Sequence, residues 1–244
     1  MKPTEASDVL IRPGTEADLP EIAELFIATR RSAVPQMPPV VSDDDAIRAW
    51  FADHRGTKEY WVADDGDIVG FAMLDGAWLN SLYIGPQRQG SGIGSMLLDL
   101  VKAQRPDGFG LWVFASNTSA RGFYHRHGLV ELEHTDGSAN RERSPDVRMV
   151  WPGNDPVGYL RAQIDEVDDE IALLLARRFA LTATVQGFKD VPGRSGRDPE
   201  RERQIAERMA AHAPGLGVAA IARIMHLVID ESLDAYENRP GDTR

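Results

Sequence analysis

Two sets of residues in the 244-residue chain have types and spacings suited to chemistry. The first is Gln87-Arg88-Gln89-Gly90-Ser91-Gly92-Ile93-Gly94, between a β-type run and a helical one. At such a junction glycines let the backbone approach closely, and the free N–H groups and dipole of a helix start can hold a phosphate. The plain alternative is a tight turn, because Gly-x-Gly alone carries little information. The second set is a series of cations, Arg161, Arg178, Lys189, Arg197, Arg201 and Arg203, mixed with Asp198 and Glu202 on segments that otherwise carry an apolar stripe. Arg178 and Lys189 are about three turns apart and are expected to share one face of the first helix of their segment. Asp198, Arg201 and Glu202 share another face. Arg161 is turned about 100° away from Arg178 on an ideal helix, so its own chain does not easily bring it to the same site. The plain alternative here is a solvated charged face.

The elements that must position these residues fall into two blocks. From Val9 to Trp151 short β-type runs alternate with helical stretches, which reads as α/β. Thr15 and Ser42 are expected to cap helices carrying Leu19, Ile22, Leu25 and Phe26, and Ile47, Trp50 and Phe51. Strands are expected at 60–63, 68–74 and 78–84, joined through Asp65-Gly66 and Asp75-Gly76 as an antiparallel meander. A helix over about 92–103, a strand over 110–114 and a short helix after Asn117, stopped near Gly128, follow. Pro152 to Pro156 form a linker. Beyond it strand signals are nearly absent, and Leu160, Ile164, Val167, Ile171, Leu174, Leu175, Leu181 and Val185 form one long stripe that needs a partner helix. Helices over about 199–212 and 218–236 complete the block. The expected domains are 1–153 and 157–240.

Composition bounds the partners. The formal net charge of −11 opposes general attraction to nucleic acid or anionic lipid, so an anionic ligand must meet local positive charge. The absence of cysteine excludes disulfides, thiolate metal sites and a Cys nucleophile. No metal-ligand cluster stands out, no run of about 18 apolar residues occurs, and MKPTEASDVLIRP lacks a signal-type apolar run. A cytoplasmic protein is expected, with no nucleic acid, membrane or metal partner.

The first block resembles the GNAT N-acetyltransferase family over roughly residues 8–151. Its Gln/Arg-x-x-Gly-x-Gly/Ala signature is matched by Gln89, Gly92 and Gly94 after Leu82-Tyr83-Ile84. Its Asn…Ala…Phe-Tyr-x-x-x-Gly-Phe pattern is matched by Asn117, Ala120, Phe123, Tyr124, Gly128 and Leu129, with Leu129 in place of the more usual Phe. The resemblance implies a mixed sheet and acetyl-CoA as cofactor. Leu82, Tyr83 and Ile84 would pair with its pantetheine arm, and Gln89, Gly90, Ser91, Gly92, Ile93 and Gly94, with Asn117 nearby, would hold its pyrophosphate end. Direct attack of an amine on the thioester needs an acid for the departing thiolate, a role suited to Tyr124, protonated at neutral pH. Glu131, Glu142 and Asp146 stay open as bases, beside a water chain. The acceptor amine is not legible, and a CoA-binding regulatory module is the alternative.

The second block resembles the AroQ-type, all-helical chorismate mutases over about residues 157–237, through Leu160-Arg161, Ile164-Asp165, Asp168, Arg178, Lys189, Asp198, Arg201 and Glu202. The resemblance implies a three-helix domain intertwined with a second copy as a homodimer, and no cofactor. Arg161, entering the partner's site, and Arg178 would bind the carboxylates of chorismate. Lys189 would donate to the ether oxygen, with Arg201 beside them and Asp198 and Glu202 toward the ring hydroxyl. A unimolecular rearrangement to prephenate needs no nucleophile or metal, only a held conformer and charge stabilisation. Ser232 matches the family's serine, but Tyr236 stands where Gln or Glu is common. That departure leaves 4-amino-4-deoxychorismate or isochorismate open as substrate. A bare dimerisation scaffold is the third alternative.

Overall fold

The computed structural model describes residues 9–213 and 215–238. The first eight residues of the N-terminal segment, and the outer ends of both expected domain ranges, lie outside these. The chain divides into compact units at 1–161 and 162–244. Among the described residues no helix is long and apolar enough to cross a membrane.

The N-terminal unit is built on a seven-stranded mixed sheet, in the order β1-β2-β3-β4-β5-β7-β6. The strands are β1 (Leu10–Pro13), β2 (Glu59–Asp64), β3 (Ile68–Asp75), β4 (Trp78–Ile84), β5 (Phe109–Phe114), β6 (Val130–His134) and β7 (Asp146–Trp151). The expected meander is β2–β4, and its two turns place Gly66 and Gly76 at φ +103° and +56°, the region an L side chain resists. β1, β6 and β7 went unread in the sequence. Helices α1 (Leu19–Ser32) and α2 (Asp44–Asp53) cover one face of the sheet. On the other face α3 (Ile93–Gln104) buries Ile93, Leu97, Leu98 and Val101 against Leu111, Val113, Val147 and Met149, with α4 (Thr118–Arg126) alongside.

Two caps differ from expectation. Asp43, not Ser42, caps α2, its carboxylate accepting from the Ala46 N–H at 2.7 Å; Ser42 instead accepts from Arg141 at 2.9 Å. Thr15 opens a 3₁₀ turn leading into α1, and its N–H and hydroxyl both donate to Asp18.

The C-terminal unit is helical. α5 (Pro156–Gln186) starts in the first unit and continues into the second, followed by α6 (Pro199–His212) and α7 (Gly217–Glu237). α6 and α7 pack through Ala206, Ala210, Ile221 and Met225. Along α5, by contrast, Ile164, Val167, Ile171, Leu174, Leu181 and Val185 are 47–62% exposed. Their 3,4 spacing is that of a coiled-coil seam, and Arg178 occupies the seam position between Leu174 and Leu181.

Candidate functional site

β4 and β5 are parallel and share the single register pair Trp78↔Gly110, beyond which they part. A cavity of about 1170 Å³ opens there, lined by Leu82, Tyr83 and Ile84 of β4, by Gln89, Gly90, Gly92 and Gly94, and by Asn117 and Tyr124. The structure thus gathers most of the residues expected around acetyl-CoA. Ser91 turns its hydroxyl to the Arg88 carbonyl, and the Ile93 side chain is in the core, leaving that residue its amide alone. Asn117 caps α4, accepting from the Ala120 N–H at 3.1 Å. No side chain among the described residues caps α3, whose N-cap is Gly92 at φ +89°. Its first amides are therefore open to an anionic ligand.

Tyr124 is buried, and burial, reinforced by nearby Tyr83, holds its phenol well above the ordinary range. Burial also raises Tyr83, opposed by the charge and hydrogen bond of Arg30. Arg30, on α1 and only 3% exposed, donates to Glu142 at 3.1 Å and to the Pro38 carbonyl at 3.3 Å, and lies over the Phe114 ring. The three acidic residues left open by sequence are now distinguishable. Glu131 is clamped by Arg121 at 2.8 and 3.1 Å, also meets His125 and His134, and is held down to about 2, chiefly by Arg121. It does not line the cavity. Asp146 does, but its two oxygens accept from Thr135 and Asn140. Glu142 lines the cavity and is engaged through Oε1.

In the helical unit, Arg178 donates to the Ser232 hydroxyl at 3.1 Å and the Val228 carbonyl at 3.4 Å. Burial pulls its guanidinium below its ordinary value, and among the described residues no carboxylate pairs with it. Its neighbours differ: Arg194 pairs with Asp230 and Asp234, Arg197 with Glu202 and Asp230, and Arg203 with Glu200 and Glu207.

Other expected residues are placed differently. α5 ends at Gln186, and Gly187, Phe188 and Lys189 follow in successive turns whose N–H groups bond three residues back, so Arg178 and Lys189 do not share a helix face. The Gln186 side chain draws in the next loop by accepting from the Gly193 N–H at 2.8 Å. The Lys189 ammonium donates to the Gly196 carbonyl at 2.7 Å. Asp198 caps α6 through the Arg201 N–H at 3.0 Å rather than facing a ligand with both oxygens free. Glu202 is held in a two-point pair with Arg197, both contacts 2.8 Å, and Arg197 also reaches Asp230, about 160° around α7 from Ser232. Tyr236 lies one turn beyond Ser232, half-buried, while Arg161 and Arg201 are exposed.

Arg30 and Arg197 carry structure that the sequence reading did not assign to them. Arg30 continues the buried stripe of Ile22, Ala23 and Ile27 on α1, and a charge at the end of an apolar stripe was the available signal.

The N-terminal unit has the fold of the GNAT enzymes, and residues 56–131 match the acetyltransferase (GNAT) domain family. Residues 160–237 match the type II chorismate mutase family, so the chain joins a GNAT acetyltransferase domain to a type II chorismate mutase domain. The peptidyl-lysine N-acetyltransferase YjaB of Salmonella typhimurium is 32% identical over 94 residues, 38% of this chain and 64% of that protein, so the match spans less than two thirds of its length. The peptidyl-lysine N-acetyltransferase YiaC of Escherichia coli is 27% identical over 155 residues, covering 59% of this chain and 97% of YiaC. The solution structure of apo YjaB from Escherichia coli superposes with a TM-score of 0.50 at 20% identity, over 59% of this chain and 98% of that one.

Proposed function

We propose that the protein is a bifunctional enzyme, converting chorismate to prephenate in its C-terminal domain and transferring acetyl from acetyl-CoA to a primary amine in its N-terminal domain. The observation that carries the mutase reading is the state of Arg178, a partly desolvated cation on an apolar seam with no carboxylate to neutralise it among the described residues. Such a group favours an incoming carboxylate, because it has already lost part of its hydration. The Ser232 hydroxyl holds the guanidinium toward α7. Lys189 spends one of its three protons on Gly196, leaving two for an ether oxygen that gains negative charge as its bond breaks.

The exposed seam of α5 is the second support. A helix of 31 residues, about 46 Å long, leaves six apolar seam positions in water. A second copy covers them as a homodimer and brings Arg161 of the partner subunit to the substrate's other carboxylate. Tyr236, a turn from Ser232, then faces the reacting ring.

In the N-terminal domain, acetyl-CoA supplies an activated acyl group as a thioester. The open amides of α3 and the free edge of β4 fit its pyrophosphate and pantetheine. Tyr124, kept protonated by burial, delivers a proton at the sulfur position.

The deciding experiment follows loss of chorismate absorbance by the purified protein, with the product identified. Prephenate formation that Arg178→Ala lowers by on the order of 10²–10³ establishes the mutase. A folded dimer that leaves chorismate untouched refutes it.

A further inference from the structure

We propose that Glu142 is the catalytic carboxylate on the acceptor side of the N-terminal cavity, receiving a primary alkylammonium and taking its proton. This rests on the acetyltransferase reading above and specifies its acceptor. The cavity is walled by two carboxylates among the described residues, Glu142 and Asp146. Asp146 is committed on both oxygens, to Thr135 and Asn140, and so holds its loop together. Glu142 uses Oε1 on Arg30 and retains the lone pairs of Oε2. Arg30 fixes that carboxylate against α1 and carries a compensating charge. Glu142, Arg30, Tyr83 and Tyr124 line the same cavity, Glu142 paired with Arg30, so an acceptor at Glu142 and a thiolate at Tyr124 share one space.

The walls define the acceptor's stem. Phe26, Trp50, Tyr83, Trp112 and Phe114 line the same cavity. Aromatic walls with one free carboxylate suit an aliphatic chain ending in an ammonium, whose charge also gains from ring faces. A lysine side chain and a polyamine share that chemistry.

The step balances. Glu142 takes one proton from the ammonium, and the neutral nitrogen attacks the thioester carbonyl. A C–N bond forms and the C–S bond breaks, the thiolate takes the Tyr124 proton, and the nitrogen's surplus proton restores the phenol. Glu142 then releases its proton to water, so that amide, thiol and one proton leave.

Glu142→Gln keeps the Arg30 contact while removing the charge, and Glu142→Asp keeps the charge on a shorter arm. For both variants and the wild type, calorimetry in the presence of CoA gives the affinity for an Nα-acetyl-lysine amide and for spermidine, and turnover with acetyl-CoA gives kcat and KM. The expected result is affinity for one probe weakened about tenfold in Glu142→Gln, kcat lowered on the order of 10²-fold, partial recovery in Glu142→Asp, and unchanged CoA affinity. The responding probe separates a lysine side chain from a polyamine. Equal affinity and turnover in Glu142→Gln overturn the proposal, as does a wild type that binds neither probe. Binding that depends on Glu142 without turnover retains the carboxylate as the ammonium site, and refutes its base role together with the acetyltransferase reading.

Discussion

Arg178 and Ser232 meet across α5 and α7 at 3.1 Å, a guanidinium donating to a hydroxyl where no acid neutralises it among the described residues. The hydroxyl also donates to the Ile229 carbonyl at 2.9 Å, which fixes its remaining lone pairs toward Arg178. The contact is thus directional, and it positions a positive charge without cancelling it.

Arg178→Ala is expected to reduce mutase kcat/KM by on the order of 10²–10³, the scale of removing one preorganised charge donor. Ser232→Ala, which leaves the charge but frees its orientation, should cost less, about tenfold. Steady-state kinetics with chorismate checks both. Removing a partly desolvated cation that has no carboxylate partner among the described residues should leave melting temperature unchanged or raised in Arg178→Ala, in contrast to loss of a packing residue.

Leu174→Glu with Leu181→Glu places charges on both sides of Arg178 along the seam. Sedimentation should show conversion of a dimer to a monomer, with mutase activity lost because Arg161 of the partner subunit no longer arrives. Acetyl-CoA affinity, a property of the other domain, should be unchanged. A dimer that survives this double substitution, or an active monomer, refutes the paired-seam reading.

Sequence periodicity located the meander, the phosphate-type loop and all three C-terminal helices because each announces itself locally, through Asp-Gly turns, a Gly-rich helix start or a 3,4 apolar stripe. β6 and β7 were not legible: Val130–His134 is a mostly exposed edge strand without clean alternation, and its register shifts at Glu131 and Glu133. The end of α5 was misjudged because charges continue the helical spacing past Gln186 to Lys189, whereas the chain turns at Gly187. Side-chain partners are set by tertiary contact. Asp198 before Pro199 does carry a local cap signal, whereas nothing local told that Arg197 would reach Asp230 or that Glu142 would retain an oxygen when Glu131 and Asp146 do not.

Tyr124→Phe is expected to lower acetyl-transfer kcat by on the order of 10²-fold while acetyl-CoA affinity holds, since the ring's packing is retained and only the proton donor goes. Burial raises the phenol's pKa, so the donor form persists to higher pH than for a free tyrosine. The pH–rate profile of the wild type should therefore show no loss assignable to Tyr124 up to about pH 10, the ordinary tyrosine value. An alkaline limb below that pH, absent from Tyr124→Phe, contradicts this assignment.

Glu131 gives the N-terminal unit an acid-sensitive support. Its carboxyl is held at about 2 in the fold, chiefly by Arg121, against an ordinary value of 4.5. A depressed carboxyl binds fewer protons folded than unfolded, so its stabilisation is complete above the unfolded value and lost as pH falls from about 4.5 toward 2. Asp18, lowered by Arg12, acts in the same sense. All five tryptophans lie between Trp50 and Trp151, so tryptophan fluorescence follows the unfolding of this unit. Glu131→Gln should melt below the wild type at pH 6, with the gap holding down to about pH 5 and narrowing as the pH is brought from there to 3. A gap that stays constant across that range would mean that Arg121 and Glu131 contribute by packing and hydrogen bonding without net charge.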